Sequence, residues 1–184
     1  SEYSLIGTGF GNSINSSSSH SFIGGGFSNS INSSSSYSFI GGGQRNDISG
    51  SSRSGILGGL TNSIDGGDYG VITGGKNNTV NGSFSIIGDG CGNTISSENC
   101  FIGTGVSNSV DDTSSYSFIG GGKNNTNSGN NNLIGNGLFN LIEGNGSSII
   151  GGFNHTVSGN NSTIYNGGNT SCLLYTSPSP RDRG

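Results

Sequence analysis

The heptapeptide Tyr-Ser-Phe-Ile-Gly-Gly-Gly occupies residues 37–43 and 116–122, and residues 20–26 repeat it with His for Tyr. Each copy continues x-x-Asn and then, two residues further on, a branched or polar residue that opens the way to the next copy. Self-similarity of this kind is the mark of a stacked architecture. Aligned on the branched residue before the glycines, the chain divides into eleven copies, at Ile6, Ile23, Ile40, Leu57, Ile72, Ile87, Ile102, Ile119, Ile134, Ile150 and Ile164. Their spacing, roughly 14 to 17 residues, allows one turn of a β-helix per copy. An Asn column follows five or six residues later: Asn12, Asn29, Asn46, Asn62, Asn78, Asn93, Asn108, Asn125, Asn140, His155 in its place, and Asn169. Two residues after it comes a second apolar column, Ile14, Ile31, Ile48, Ile64, Val80, Ile95, Val110, Ile142 and Val157, interrupted by Asn127.

A unit this short cannot fold alone. Ordering its backbone costs roughly 1–2 kcal/mol per residue, whereas one buried Ile returns only about 1.5–3 kcal/mol. Stacking removes the deficit, because like residues align about 4.8 Å apart and each strand hydrogen-bonds to the coils on both sides. The sequence therefore predicts an all-β chain, a parallel β-solenoid (β-helix or β-roll) of about eleven coils with two short strands each. Glycine and Ser/Asn turns separate the strands. The Ile columns point inward, and the Asn column is expected to form an inward ladder, each amide donating to the next. The other role open to these Asn is to end turns.

Composition fits nothing more ordinary. Hydrophobic residues make up 27% of the 184 and charged residues 9%, with 38 Gly and neither Trp nor Met. Without the repeat such a chain would fall near the disordered class. Six basic residues in a chain of net charge −4 cannot build a track for phosphates, so nucleic acid is not an expected partner. No apolar run is long enough to span a membrane, and no secretion signal opens the chain. It begins at Ser1 in mid-repeat, which reads as a middle piece of a longer fibre.

Adjacent strand residues face opposite ways, yet the residue before the first Ile column is also apolar: Leu5, Phe22, Phe39, Ile56, Val71, Ile86, Phe101, Phe118, Leu133 and Ile149. With small residues such as Ser21, Ser38, Ser85 and Ser117 sharing the Ile side, this Phe-containing column is expected outside, as an interface for lateral self-association. With Tyr3, His20, Tyr37, Tyr69, Phe84 and Tyr116 beside it, the column makes a strip of roughly 500 Å². A corner that folds both columns inward is the other arrangement this pattern allows.

No motif for chemistry emerges, and the chain reads as a non-enzyme without cofactor or metal. Glycine patterns at residues 7–11 and 88–92 lead into strands, not into the helix that a phosphate loop needs. Asp47, Asp65, Asp89, Asp111, Asp112 and Glu143 are scattered without calcium-loop spacing, and only Asp111 with Asp112 could meet an incidental cation. His20 and His155 fall in distant coils and simply replace Tyr and Asn in their columns. Cys91, Cys100 and Cys172 lack motif spacing and are expected to be free thiols. Ten N-x-S/T sequons, at Asn15, Asn32, Asn77, Asn81, Asn124, Asn145, Asn154, Asn160, Asn161 and Asn169, permit glycosylation without implying it. The repeat domain is taken as residues 1–171. Residues 172–184 hold both prolines and cannot continue the stack, so they read as a disordered tail or as sequence from a cloning or sequencing adapter.

The unit S-F-I-G-G-G-x-x-N-S-I at residues 21–31, with its variants through Thr163, resembles the glycine-rich repeats of bacteriophage tail-fibre proteins and trimeric autotransporter adhesin heads. That resemblance implies an extracellular, cell-surface or virion location, a homotrimeric or laterally bundled fibre, and a cell-surface glycan as a possible partner. Adhesin heads favour Ala where this chain has Ile, and their neck, stalk and anchor patterns do not occur in it. A second resemblance, carried by N-N-T-V-N-G at 77–82 and H-T-V-S-G at 155–159, is to grass ice-recrystallisation-inhibition (antifreeze) repeats. It implies an ice-binding face of Ser13, Ser30, Ser63, Thr79, Thr94, Ser109, Thr126 and Thr156, broken by Asp47 and Leu141.

Overall fold

The computed structural model describes residues 2–172. They form a β-solenoid with two strands per coil and no helix. One 11-stranded parallel sheet runs from Leu5–Ile6 through Phe22–Ile23 to Thr163–Ile164, and a second runs from Ser13–Ile14 to Ser171–Cys172. Between them a third ladder of single-residue parallel bridges climbs from Phe10 through Phe27, Gln44, Leu60, Lys76, Cys91, Val106, Lys123, Leu138 and Phe153 to Gly168. We number coils 1–11 from the residue that opens each: Tyr3, His20, Tyr37, Arg53, Tyr69, Phe84, Asn99, Tyr116, Asn131, Gly146 and Asn161. All eleven have φ between 53° and 64° and turn the chain into the first sheet. The residue after each single bridge, such as Ser28 or Arg45, adopts the same left-handed conformation at the next corner.

The interior is two apolar columns and three polar ones. Ile23, Ile40, Ile56, Ile72, Ile87, Ile102, Ile119, Ile134 and Ile149 form the first apolar column and are fully buried. This register corrects the alignment at two coils. Ile56 and Ile149 were expected outside, with Leu57 and Ile150 inside; instead Ile40, Ile56 and Ile72 are Cα partners, as are Ile134 and Ile149. A one-residue slip turns every side chain to the other face. A constant six-residue step to Asn62 and His155 fixes which Ile is inside, so Leu57 and Ile150 are exposed. Asn169 is likewise displaced by one: it occupies the left-handed corner, and Thr170 takes the Asn position by donating its N–H to His155 Nδ1.

The Asn column is inward, but its connections run through the backbone. Asn78 Oδ1 accepts the N–H of Asn93 at 3.0 Å, while Asn78 Nδ2 donates to the carbonyls of Gly74 and Gly90, both at 3.1 Å. Direct amide-to-amide bonds, such as Asn125 Nδ2 to Asn108 Oδ1 at 3.1 Å, accompany this pattern in only some coils. Each Asn thus satisfies backbone groups that the glycine turn cannot pair itself. The turn must be glycine here: at Gly75, with φ 82°, a Cβ would strike the Gly90 carbonyl oxygen and lie 2.6 Å from Asn78 Nδ2. A second ladder does the same with hydroxyls, Ser21 Oγ accepting the Ser38 N–H at 3.1 Å and donating to the Ser35 carbonyl at 3.0 Å.

Coil length varies at one corner alone. The step between ladder Asn is 17 from Asn12 to Asn29, 16 from Asn46 to Asn62, and 15 from Asn78 to Asn93. The excess falls wholly between the second apolar column and the next buried small residue: Ile31 to Ser35, Ile48 to Ser51, Val80 to Gly82. Every other step around the coil is constant, and the one shorter interval, from Ile150 to Ile164, disappears with the corrected register. The solenoid ladder also takes in the backbone of Cys172, one residue beyond the expected boundary, through pairing with Val157. The predicted tail from residue 173 lies outside the described residues.

Candidate functional surfaces

The outward side of the first sheet carries eight of the ten residues expected there: Leu5, Phe22, Phe39, Val71, Ile86, Phe101, Phe118 and Leu133. Gly55, Ser148 and Thr163 complete the row where Ile56 and Ile149 have turned inward. Phe39 and Phe118 remain about 40% exposed. Phe22 stacks on Phe39 with ring centroids 5.6 Å apart, and Phe101 on Phe118 at 5.2 Å. Each ring leans over a glycine two residues on, so that a Cβ at Gly24 would sit 3.3 Å from the Phe22 ring. The tighter constraint is the next coil's backbone, since a Cβ at Gly24 would strike the Gly41 carbonyl oxygen and Gly88, after Ile86, is under the same constraint without a ring.

Along the edge of this face the opening corner residues form a second stack. Tyr3, His20 and Tyr37 lie ring on ring at 5.1 and 4.7 Å, the Arg53 guanidinium sits 5.6 Å from the Tyr37 ring and 5.5 Å from that of Tyr69, and Phe84 follows Tyr69 at 4.7 Å. Stacked rings and cation–π contacts offset part of the cost of a left-handed conformation at bulky residues. Tyr116, with Asn99 and Asn131 as its neighbours in the column, has no ring to stack on and is exposed.

The second sheet turns Ser13, Ser30, Ser63, Thr79, Thr94, Ser109, Thr126 and Thr156 outward in one ladder, with Asp47 and Leu141 inserted. Its hydroxyls are partly engaged. Ser30 Oγ donates to Asp47, which also accepts from Asn32 Nδ2 at 3.0 Å, and Asp111 accepts from Ser109 and Ser128 at 3.0 and 2.6 Å. The third face, built on the single-bridge ladder, was missed in the sequence because its residues are chemically mixed and make no periodic pattern. Its fixed place, immediately after the positive-φ glycine, is the signal that would have found it.

Candidate reactive groups stay apart. Among the described residues no group of three or more His, Cys, Asp or Glu side chains could hold a metal ion. Cys91, on the third face, and Cys100, buried in the serine ladder, are free. Burial pushes the Cys100 thiol up, against smaller lowering by backbone hydrogen bonds from Ser117 and Tyr116 and with a further rise from Glu98. His155 is buried in the Asn column with Nε2 unpaired, and His20 lies in the aromatic stack. None of the ten sequon Asn is buried, since a ladder Asn always has an inward residue, not Ser or Thr, two places on. No helix among the described residues is long and apolar enough to cross a membrane. No protein-family model and no curated protein matches this sequence.

Proposed function

We propose that this chain is a non-enzymatic segment of an extracellular fibre, with an adhesive or structural role, that associates laterally with copies of itself through the row of Leu5, Phe22, Phe39, Val71, Ile86, Phe101, Phe118 and Leu133. The observation that carries the reading is that row, an apolar stripe from Leu5 to Leu133 broken only at Gly55, on a chain whose charged and apolar content is otherwise low. Stripes of this extent on soluble proteins mark contact sites. The resemblance to tail-fibre and trimeric adhesin repeats supports it independently and makes a homotrimer at a cell or virion surface the expected assembly.

A second reading, an ice-binding surface, is favoured by the aligned Ser/Thr row of the second sheet. Asp47, Leu141 and the carboxylates beside the row interrupt the regular hydroxyl array that such a surface needs, so it ranks below the fibre. Analytical ultracentrifugation separates the two. The repeat region is expected to sediment as an oligomer and Phe22→Asp with Phe118→Asp to dissociate it, since both side chains lie on the surface. A stable monomer that inhibits ice recrystallisation would replace the fibre reading with the second one.

A further inference from the structure

Three times along the opening corner, two aromatic rings stand two coils apart with one other side chain between them. His20 lies between Tyr3 and Tyr37, and Arg53 between Tyr37 and Tyr69. Asn99 takes the middle place between Phe84 and Tyr116. In the second interval a planar cation fills the width, the Arg53 guanidinium lying 5.6 Å from one ring centroid and 5.5 Å from the other. The third interval spans the same two coils, and its residues hold the same left-handed corner, Phe84 at φ 55°, Asn99 at 57° and Tyr116 at 58°. Its middle side chain is short. Asn99 ends at the amide, several bonds before a guanidinium would, so the outer part of the interval opens to solvent between two exposed rings. Phe84 is 57% exposed and Tyr116 63%, although Tyr69 covers the other face of Phe84 at 4.7 Å.

Negative charge follows the same three intervals. The residue just before the opening corner is Glu2, Asp68 or Glu98 in coils 1, 5 and 7, and Ser or Asn in the remaining coils. Each interval therefore has one carboxylate in the row beside it. The first two have a nitrogen base from the chain itself in the middle place; the third has the carboxylate of Glu98, exposed, and no base.

We propose that the interval between Phe84 and Tyr116, floored by Asn99 and edged by Glu98, binds a guanidinium group, the side chain of an arginine presented by a partner protein. Rings two coils apart are separated by about 9.6 Å along the axis, so a group midway lies about 4.8 Å from each. That is inside the reach of about 6 Å over which a cation is held by a ring face. A guanidinium is planar and weakly hydrated and stacks on aromatic faces, which an ammonium does less well. The Asn99 carboxamide oxygen can accept one of its N–H donors from below, and Glu98 supplies the opposite charge at the rim. The site takes a ligand of different chemistry from the Phe22 row and so goes beyond the lateral association proposed above.

NMR titration of the full-length chain with the tripeptide acetyl-Gly-Arg-Gly-amide tests the site. Saturable shifts are expected at the Asn99 side-chain amide and at the backbone amides of Phe84 and Tyr116, with weaker binding of the Lys tripeptide. Tyr116→Ala should weaken binding about tenfold and Glu98→Gln about threefold. Asn99→Arg should abolish it by filling the interval from within, as Arg53 does between its own two rings. Arg53→Asn should do the reverse and open a second site, adding saturable shifts at Tyr37 and Tyr69; Asn adopts this left-handed corner readily, so the fold is kept. The absence of saturable shifts at Asn99, binding indifferent to Tyr116→Ala or to Asn99→Arg, or an equal response to methyl β-D-glucopyranoside overturns the proposal. None of the substituted positions belongs to the Phe22 row, and the titration counts sites per chain, so its outcome is independent of lateral association.

Discussion

Coils 1–4 and coils 8–10 are built on the same skeleton and finished differently. The early coils advance the Asn ladder by 17 or 16 and turn through Ser- and Gly-rich corners. Their opening residues are stacked rings and an arginine. The later coils advance the ladder by 15, and after Tyr116 their opening residues are Asn131 and Gly146. In coils 8 and 9, where the corner is short, the buried residue is Gly129 or Gly144, at which a Cβ would strike the carbonyl oxygen of the next coil. In coils 1–3, where it is longer, Ser18, Ser35 and Ser51 fill the same place with a side chain, while coil 4 has Gly67 there. The difference teaches that the solenoid fixes whatever must match the next coil and leaves free whatever faces water.

The later region also holds both buried side-chain atoms left without a partner among the described residues, Asn127 Oδ1 and His155 Nε2. Each replaces a column member, an Ile or an Asn, with a residue that leaves one polar atom without a complement there. The two regions therefore share a ladder and differ in how well its places are filled.

The largest expected effect tests the shared ladder. Asn46→Ala and Asn125→Ala each strand buried backbone groups on both sides, and each should lower stability by about 3–5 kcal/mol, equally in the two regions. Urea denaturation monitored by circular dichroism reads this directly, and a loss confined to one region would show that the skeleton is not common to both. A smaller effect of opposite sign is expected at the defect. Asn127→Val restores the apolar column and removes the unpaired oxygen, so stability should rise by about 1–2 kcal/mol in the same assay. If the midpoint falls instead, Asn127 has a partner that the fold conceals.

The smallest effect concerns length. Two serines inserted between Asn81 and Gly82 lengthen coil 5 to the size of coil 7. That coil already advances the ladder by 17, from Asn108 to Asn125, beside two neighbours that advance it by 15. The insertion should change stability by less than about 1 kcal/mol. The same two residues placed between Gly88 and Gly90 break the Asn93 contacts, and hydrogen exchange should report local unfolding of that coil.

Much of the fold was legible because the columns repeat. Ile23, Asn29 and Ile31 recur with the same chemistry in nearly every coil, and period-two alternation turned that into a correct statement about which faces inward. The errors at Leu57, Ile150 and Asn169 arose where two candidate residues are adjacent and local preference is equal. Pairing with Ile40 and Ile134 chooses between the two Ile-column candidates, in agreement with the six-residue step to the ladder residue, and the Asn154 corner chooses at Asn169. The aromatic corner was visible as a set of residues but not as a stack, since nothing in the sequence says that Arg53 would bridge Tyr37 and Tyr69. The role of Asn was half visible: its inward direction followed from spacing, its backbone partners did not.

The sequence by itself determined that the chain stacks, because no single repeat can bury enough to offset its own ordering, and it named the columns that fill the interior. The tertiary structure decided which spacing holds as the register at ambiguous coils, the single corner that absorbs changes in length, and the third face. These depend on which backbone N–H meets which carbonyl in the next coil, a match between residues a whole coil apart that no local preference encodes.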